Sequence, residues 1–326
     1  MMGLYHHWTQ AFPPVPAFTE KDLPDLQGKV YIVTGSNTGL GKELANILFS
    51  KNAKVYVAAR SEEKAAKAIE SIKNAHPSSS GELVYLPLDL NDLTTIKASA
   101  NAFLAKERKL HVLFNNAGVM TPPQGSKTAQ GYELQLGVNT VAPFLFTKFL
   151  TPTLLSTAKA EPPNTVRVVW VSSCGAELLS PKLGVPLDNL DYHNDQSASY
   201  KYGVSKAGNY LHACEFAKRY SGNGIVSVAL NPGNLLSELS RHRGFLLRQM
   251  MRATHYPPLF GAYTELFAGL SPEVTIERSG HWIVPWNRFL PMRQDLADAT
   301  KTEAEGGNGT GLKFWEWTEK QVKPYL

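Results

Sequence analysis

Cysteine is scarce in this sequence, which has only Cys174 and Cys214 among its 326 residues. Two cysteines cannot build the framework of several disulfides that stabilises small secreted domains. We therefore expect the protein in a reducing compartment. We interpret Cys174 as a small packed side chain, although it directly follows Ser173 and could lie near a site.

Long hydrophobic runs are also missing, since no segment approaches the roughly 20 apolar residues of a membrane-spanning helix. Residues 1–27 contain His6, His7, Trp8 and four prolines, without the continuous apolar core of a secretory signal. These absences predict a cytoplasmic protein with no membrane span. The pair His6 and His7 would indicate a metal site only with further ligands at suitable spacing. The sequence shows none, so no metal is predicted.

Neither sign of charge dominates the sequence. The 33 Lys and Arg residues and 28 Asp and Glu residues give a net charge of +5, and the isoelectric point is about 9.0. Because the basic residues form no run, this mild excess predicts no nucleic-acid partner and suits an anionic cofactor. Hydrophobic residues make up 43% of the chain. That content is enough for the core of one large α/β domain with extensions, or of two small domains.

What the sequence does contain is a repeated alternation of short β-rich runs with helical segments. Alternation at this spacing predicts right-handed βαβ units, and hence a doubly wound parallel sheet covered by helices on both faces. The predicted strands are residues 30–34, 54–59, 82–88, 111–115, 166–172 and 225–230. The predicted helices include residues 41–51, 62–74, 93–107, 132–155 and 203–220.

A glycine-rich turn joins the first predicted strand to the first helix of that alternation. The strand ends at Thr34, and the turn reads Gly35-Ser-Asn-Thr-Gly39-Leu-Gly41. Such a turn presents free backbone N–H groups and the positive end of a helix to a pyrophosphate, and glycine lets the ligand approach closely. The spacing G-x-x-x-G-x-G differs from the G-x-G-x-x-G dinucleotide fingerprint. The alternative is a glycine-rich turn that holds no ligand.

A phenol and an ammonium lie one helical turn apart in Tyr202-Gly-Val-Ser-Lys206. On a helix, residues i and i+4 project from nearly the same face. A neighbouring cation favours the phenolate, so the pair can exchange a proton with a carbonyl or an alcohol. Taken alone, this spacing is more often part of a solvated helix surface.

Four motifs occur in a fixed order along the chain. They are Thr34-Gly35-x-x-x-Gly39-x-Gly41, Asn115-Asn116-Ala117-Gly118, Ser173 with Tyr202-x-x-x-Lys206, and Asn231-Pro232-Gly233. Over roughly residues 28–270, this set resembles the short-chain dehydrogenase/reductase family. The resemblance implies a single-domain Rossmann-like fold with three α/β/α layers and a C-terminal substrate-loop extension. The chain looks most similar to the retinol-dehydrogenase-like and WW-domain-oxidoreductase-like branch.

The resemblance implies catalytic roles for four residues. Tyr202 would be the general acid of carbonyl reduction, and Lys206 would bind the nicotinamide ribose hydroxyls and favour the phenolate of Tyr202. A serine at the end of the preceding strand would bind the substrate oxygen. Ser173 aligns better than Ser172, and the two side chains would point to opposite faces if the strand continued. Asn139 would position a water in a proton relay to Lys206, although an asparagine here could simply disrupt and cap a helix.

The end of the second predicted strand bears on the choice of cofactor. An acidic residue there would bind both adenosine ribose hydroxyls and repel the 2′-phosphate of NADP(H). The sequence instead has Arg60 followed by Ser61, and these residues together with Asn37 can bind a phosphate. NADP(H) is therefore the predicted cofactor, and NAD(H) is less favoured. The alternative is that Arg60 only begins a solvated turn.

Further cofactor contacts follow from the resemblance. Asp89 would bind the adenine ring, although an Asp before a helix can also be a cap. Residues 116–118 would pass close to the adenosine ribose, and residues 232–237 would flank the nicotinamide, with Ser237 where the family commonly has threonine. The full predicted set is Gly35, Ser36, Asn37, Thr38, Gly39, Leu40, Gly41, Arg60, Ser61, Asp89, Leu90, Asn116, Ala117, Gly118, Tyr202, Lys206, Pro232, Gly233, Leu235 and Ser237.

The chain divides into three predicted parts. They are an N-terminal extension at residues 1–27, the Rossmann-like domain at 28–285 with a substrate loop at 234–260, and a tail at 286–326 packed on the domain. Ser173 and Tyr202 are separated by 29 positions in the sequence, and this long connection implies an extra surface loop.

A basic amphipathic helix is predicted over residues 240–253. Its basic side carries Arg241, Arg248 and Arg252, and its apolar side carries Leu246, Leu247 and Met250. Such a helix can make peripheral contact with a membrane surface. Its position after the Asn-Pro-Gly motif favours a lid over the cleft, and the membrane interpretation stays open.

The leading hypothesis is an NADP(H)-dependent oxidoreductase that interconverts an alcohol and a ketone or aldehyde, with a small, apolar substrate. The second is a non-catalytic dinucleotide-binding regulator of the same fold. The presence of Asn139, Ser173, Tyr202 and Lys206 argues against it, because binding alone needs only the glycine turn. A sugar epimerase or dehydratase is a third alternative, although its glycine spacing is usually tighter. A homodimer is also open, since relatives often pair through helices that flank the sheet.

Overall fold

The computed structural model describes residues 4–236 and 255–326, and within them eight strands form one sheet. The strands are β1 (Val30–Thr34), β2 (Lys54–Ala59), β3 (Glu82–Pro87), β4 (Val112–Asn115), β5 (Val166–Val171), β6 (Ile225–Leu230), β7 (Trp282–Val284) and β8 (Arg288–Phe289). Their order across the sheet is β3-β2-β1-β4-β5-β6-β7-β8. Neighbours are parallel except for the antiparallel pair β7 and β8.

Helices cover both faces of this sheet. They are α1 (Leu4–Ala11), α2 (Gly39–Ser50), α3 (Glu62–Ala75), α4 (Leu93–Leu104), α5 (Ala142–Ala160), α6 (Ala198–Tyr220), α7 (Pro258–Leu270), α8 (Gln294–Ala299) and α9 (Thr310–Val322). Shorter turns include a single helical turn at Leu134–Leu136, a π-helical turn at Gly137–Val141 that leads into α5, and a further turn at Gly175–Leu178.

The central strands are apolar along their whole length because both of their faces are buried. In β1, Val30 and Ile32 join the core shared with α4, α5 and α6, whereas Tyr31 and Val33 join the core shared with α2 and α7. The structure therefore confirms the predicted doubly wound α/β fold. Strands β7 and β8 lie beyond the six strands that the sequence predicted.

The topology creates a crevice where the strand order reverses. The chain passes from β1 outward to β2 and β3, and then returns to β4 on the other side of β1. In open α/β sheets, ligands bind outside the carboxyl ends of the strands at such a switch point. The segments that follow β1 and β4 are Gly35–Gly41 and Asn116–Gly118, which the sequence singled out.

Two described segments outside the predicted pattern contribute to the sheet and to its core. The boundary predicted at residue 285 separates β7 from β8, so the sheet edge includes residues assigned to the tail. In the connection between Ser173 and Tyr202, the side chains of Val185, Leu190 and Tyr192 are buried in the main core. This connection is therefore partly a core segment, because its apolar residues anchor it beneath the surface.

The basic helix predicted at 240–253 and Ser237 lie outside the described residues. Among the helices at 4–236 and 255–326, none combines the length and hydrophobicity needed to cross a membrane.

Candidate active site

A cleft of about 920 Å³ opens at the carboxyl ends of the central strands. This volume lies within the range of small-molecule and cofactor pockets. The predicted residues that line it are Gly35, Asn37, Thr38, Gly39, Leu40, Gly41, Arg60, Ser61, Asp89, Leu90, Asn116, Ala117, Gly118, Ser173, Tyr202, Lys206, Pro232, Gly233 and Leu235. Ser36 and Asn139 lie behind this surface. The fold therefore gathers residues from seven separate segments around one space.

The glycine turn forms an open cradle at the start of α2. A Cβ on Gly41 would lie 2.5 Å from Asn116 Nδ2, so only glycine lets these two segments meet. Gly39 has φ +54°, and apart from its chain neighbours and its own helix backbone, no described atom lies within 4 Å of the position of its missing Cβ. The side chain of Thr38 does not cap α2, so the first backbone N–H groups of this helix can bind an anion. This donor set fits the pyrophosphate of a dinucleotide.

The Asn116–Gly118 segment is fixed to β1 by Thr34. Thr34 Oγ1 accepts hydrogen bonds from the backbone N–H groups of Asn116 and Ala117, each at 2.9 Å. Asn116 Nδ2 donates to Thr34 O at 2.6 Å. Ser36, also predicted to contact the cofactor, is buried, and its hydroxyl donates to Val33 O at 2.7 Å. Its side chain therefore supports the turn from behind.

Tyr202 and Lys206 project from α6 toward the end of β5. Ser197 caps this helix by accepting a hydrogen bond from Tyr200 N. Lys206 Nζ donates to Val171 O at 2.8 Å and lies 5.8 Å from the centroid of the Tyr202 ring. Burial lowers the pKa of Lys206 to about 8, and the nearby carboxyl group of Glu265 opposes this shift. The cation and the phenol are therefore held together in a region of low polarity.

Ser172 and Ser173 follow β5 but have different environments. Ser172 is buried, and its hydroxyl donates to Lys206 O at 2.6 Å, which attaches the strand end to α6. Ser173 lines the cleft, and its Oγ accepts a hydrogen bond from Gly175 N at 3.1 Å. Both residues border the cleft, and the bond of the Ser172 hydroxyl to the backbone of α6 favours Ser173 as the one that can bind a ligand.

Asn139 lies in the π-helical turn before α5, and its side chain is almost completely buried. Its Oδ1 accepts from Val119 N at 2.7 Å, and its Nδ2 donates to Val119 O at 2.9 Å and Ser205 Oγ at 3.0 Å. A Cβ on Gly118 would lie 3.2 Å from Asn139 Oδ1 and 3.4 Å from Lys206 Nζ. Asn139 therefore connects the cleft wall to the helix of Tyr202 and is close to Lys206.

Two cations mark the end of the cleft beside β2. The Arg60 side chain is exposed on the cleft wall, and Ser61 caps α3 by accepting a hydrogen bond from Lys64 N. Lys64 also lines this end of the cleft, and the sequence analysis missed it. A single lysine in the first turn of a helix carries no motif, and Glu62 and Glu63 lie in the same turn of α3.

The adenine-side prediction concerned Asp89, for which a helix cap was the alternative. The cap of α4 is Asp92, whose side chain accepts from Thr94 N at 3.0 Å. Asp89 instead accepts from Asn91 N at 2.9 Å and lines the cleft together with Leu90. The helix-capping alternative for Asp89 is therefore wrong.

The opposite end of the cleft is formed by the segment after β6. Gly233 has φ +91°, and a Cβ there would lie 2.7 Å from the Trp286 ring, so this turn requires glycine. Gly233 N donates to Asn231 Oδ1 at 3.0 Å.

Three residues around the substrate end were not predicted as site residues. Leu178 and Leu179 line this part of the cleft, with exposed fractions of 57% and 41%. Cys174 lines it too, and burial raises the pKa of its thiol. The apolar leucines carry no motif, so only their position after Ser173 could have indicated them.

Comparison with known proteins bears on the family and the fold. The family model described as short chain dehydrogenase matches residues 29–184. A short-chain dehydrogenase/reductase of Phomopsis amygdali is 59% identical over 329 residues, which cover 99% of this chain and 98% of that protein. The fold is similar to the Pseudomonas aeruginosa RhlG/NADP active-site complex, with a TM-score of 0.64 and 24% identity over 81% of this chain and 96% of that one. It is also similar to a 3-ketoacyl-(acyl-carrier-protein) reductase from Brucella melitensis complexed with NADH, with a TM-score of 0.60 and 20% identity over 78% of this chain and 96% of that one.

Proposed function

The chain belongs to the short-chain dehydrogenase/reductase family, a family of oxidoreductases that use nicotinamide dinucleotides, and we propose that it is an NADPH-dependent carbonyl reductase. It would interconvert a small apolar ketone or aldehyde and the corresponding alcohol. The observation that carries this proposal is the meeting of Ser173, Tyr202 and Lys206 with the glycine turn and Arg60 in one cleft. The retinol-dehydrogenase-like branch, the cytoplasmic location and a homodimer stay predictions.

The catalytic proposal assigns the proton transfer to Tyr202. A bound nicotinamide dinucleotide would supply the hydride when a carbonyl is reduced. The hydroxyl of Ser173 would orient the substrate oxygen, and the phenol of Tyr202 would donate its proton to that oxygen. Lys206, 5.8 Å from the ring centroid, would stabilise the phenolate that remains.

The route by which Tyr202 regains its proton would involve Lys206 and Asn139. Asn139 is bonded to Val119 and Ser205, so its carboxamide cannot rotate freely. Held beside Lys206, it can position a water that exchanges protons with the ammonium group. The alternative in which this asparagine caps a helix has little support, because its side chain bonds to Val119, twenty residues away.

The preference for NADPH rests on the charges at the end of β2. Arg60 and Lys64 both line the cleft, and the strand ends in Ala58 and Ala59 with no carboxylate. A 2′-phosphate placed there would gain charge-assisted hydrogen bonds from these two side chains.

The preference for an apolar substrate rests on the wall beside Tyr202. Gly203 has no side chain, and the backbone of Leu179 lies where its Cβ would be. This brings Leu178 and Leu179 to the cleft next to Tyr202, and Met120 lines it as well. Exposed leucines of this kind lose contact with water when an apolar ligand binds.

The test is a turnover screen of the purified protein with ketones and aldehydes of increasing hydrophobicity, with NADPH and NADH in parallel. Tyr202→Phe removes the proposed acid, and we expect a loss in kcat of about 100-fold or more. The affinity of this variant for NADPH should stay within about twofold of the wild-type value. Tyr200→Phe, on the same helix but away from the cleft lining, is the matched control and should retain full activity.

Two results would contradict the proposal. Full turnover by Tyr202→Phe would remove the assigned acid. NADPH binding by the wild-type protein without turnover of any carbonyl or alcohol would favour the non-catalytic regulator.

The cofactor preference has its own test. Arg60→Ala should raise KM for NADPH by about tenfold or more, because a charge-assisted contact is lost, and leave KM for NADH nearly unchanged. Arg108→Ala, another exposed arginine outside the cleft lining, is the control. Equal effects of Arg60→Ala on both cofactors would refute the phosphate role.

A further inference from the structure

A second cluster of chemically active side chains lies where α1 meets the domain. His6 and His7 project from α1, and Glu177 comes from the helical turn that follows Ser173. One potential ligand atom from each of these residues lies within 4.8 Å of the other two. The sequence alone shows no further ligand for the histidine pair, because Glu177 lies about 170 positions away and only folding brings it close.

Glu177 is an acid that the fold has removed from water. Its side chain is 0% exposed, and that of His6 is 10% exposed. A buried carboxylate is stable only when it is paired, well hydrogen-bonded or bound to a metal. Glu177 Oε1 lies 3.0 Å from His6 Nε2, and Glu177 Oε2 accepts from Gln10 Nε2 at 2.8 Å.

The contacts of His6 conflict when considered together. His6 Nε2 lies 3.0 Å from the Glu177 oxygen and also 2.9 Å from Gln10 Nε2. The Gln10 amide cannot be turned over, because its Oε1 accepts from Asn231 Nδ2 at 2.9 Å while its Nε2 donates to Glu177. An imidazole nitrogen is either a donor or an acceptor. His6 Nε2 can therefore form a hydrogen bond with the carboxylate or with the amide, and its contact with the other group is then unfavourable.

We propose that His6, His7 and Glu177 bind a divalent transition metal ion, with Zn²⁺ as the preferred ion. A metal would accept the lone pair of His6 Nε2 and a lone pair of Glu177 Oε1 at the same time. Gln10 would keep its bond to the second Glu177 oxygen. Two imidazoles and one carboxylate, with water in the fourth position, form a known zinc ligand set.

The surroundings provide a route for the ion. His7 is only half-buried, and its ring centroid lies 5.2 Å from that of His6, so a rotation of its side chain would close the remaining gap to the other two ligands. Glu177 lies in the protein interior and offers a fixed oxygen. The ion would connect α1 to the turn after Ser173, and it would therefore stabilise the docking of the N-terminal helix.

The experiment uses the full chain without a histidine tag and with metal removed by chelation. Zn²⁺ binding is measured by titration calorimetry, and Co²⁺ serves as a spectroscopic probe of the ligand geometry. We expect saturable binding of one ion per chain at micromolar metal, with an increase in melting temperature. His7→Ala and Glu177→Gln should each weaken Zn²⁺ binding by about tenfold or more.

Trp8→Ala is the matched control, since Trp8 lies on the same helix and its side chain is 59% exposed. It should bind Zn²⁺ as the wild-type chain does. His7 is half-buried and Glu177 fully buried, so His7→Ala keeps the test valid if Glu177→Gln fails to fold. Absence of saturable binding to the wild-type chain, or equally tight binding by His7→Ala, would overturn the proposal. Neither result depends on oxidoreductase turnover.

Discussion

Glu265 should make the stability of this protein strongly dependent on pH. It lies on α7, its side chain is fully buried, and neither carboxylate oxygen has a hydrogen-bond partner within the part of the chain that is described. Burial raises the pKa of Glu265 from 4.5 to about 8, and the positive charge of Lys206 opposes this rise. The carboxyl group is therefore neutral in the folded protein at pH values where it is ionised in the unfolded chain.

The position of Glu265 explains its isolation from water. Gly261, Glu265 and Gly269 follow one another at intervals of four residues and so lie on one face of α7. A Cβ on Gly261 would lie 3.1 Å from Pro232 O, and one on Gly269 would lie 2.6 Å from Phe114 Cε1. Both ends of this helix face are thus packed tightly against the domain, and Glu265 lies between them.

The sign and size of the effect follow from linkage between proton binding and folding. Because the folded pKa is raised, this group contributes its full stability below pH 4.5, and the contribution is lost as pH rises through about 8. Within that window the unfolded chain has released the proton that the folded chain retains. The free energy of unfolding then falls by up to about 1.4 kcal/mol per pH unit, or by about 5 kcal/mol in total.

The assay is urea unfolding of the wild-type chain and of Glu265→Gln at intervals between pH 5 and pH 7.5. The glutamine keeps the size of the side chain and cannot ionise. The difference in unfolding free energy should therefore change in favour of the variant by about 1.4 kcal/mol per pH unit. Other titrating groups largely cancel in this difference. Glu316→Gln, at an exposed position on α9, is the control and should give a nearly flat difference. A flat difference for Glu265→Gln would refute the reasoning.

Three further predictions concern single contacts. Gly41→Ala places a Cβ 2.5 Å from Asn116 Nδ2. We therefore expect the affinity for NADPH, measured by nucleotide fluorescence, to fall by about tenfold or more. Unchanged affinity would contradict the proposed cradle. Ser172→Ala leaves the carbonyl of Lys206 without its 2.6 Å hydrogen bond and should cost about 1–3 kcal/mol in urea unfolding, a loss that Ser173→Ala should not show if Ser173 faces the ligand as proposed. Arg167→Met removes a buried guanidinium bonded to three backbone carbonyl groups and should cost about 3 kcal/mol or more; a variant as stable as the wild type would show that those carbonyls need no partner.

Much of the fold could be predicted because local sequence and tertiary structure agree in it. Strand β1 is apolar on both faces, and the turn after it contains the glycines that a close approach to Asn116 requires. Strands β7 and β8 were missed because they contain three and two residues. Such short runs have no detectable periodicity, and the pairing of β7 with β6 is decided by contacts far apart in the chain.

The site residues were predictable where a motif specifies the chemistry. They were less predictable where contacts in the folded chain decide which side chain reaches the cleft. Tyr202 and Lys206 are one turn apart in any helix, so the sequence was sufficient to pair them. Which of two adjacent serines faces the cleft was a weaker inference, and the structure separates them through the bond from Ser172 to the backbone of Lys206. The position of Lys64 in the cleft was not predicted, because a single lysine at a helix start carries no motif.

The sequence by itself determined the alternation of strands and helices, the family, and the residue types available for proton and hydride transfer, since all of these depend on local spacing. Only the tertiary structure decided which distant groups share an environment. It buried Glu265, whose carboxyl group has no hydrogen-bond partner among residues 4–236 and 255–326, and it placed Glu177 against His6, about 170 residues away. Such proximity and loss of water depend on how the whole chain packs, and residue order alone does not contain them.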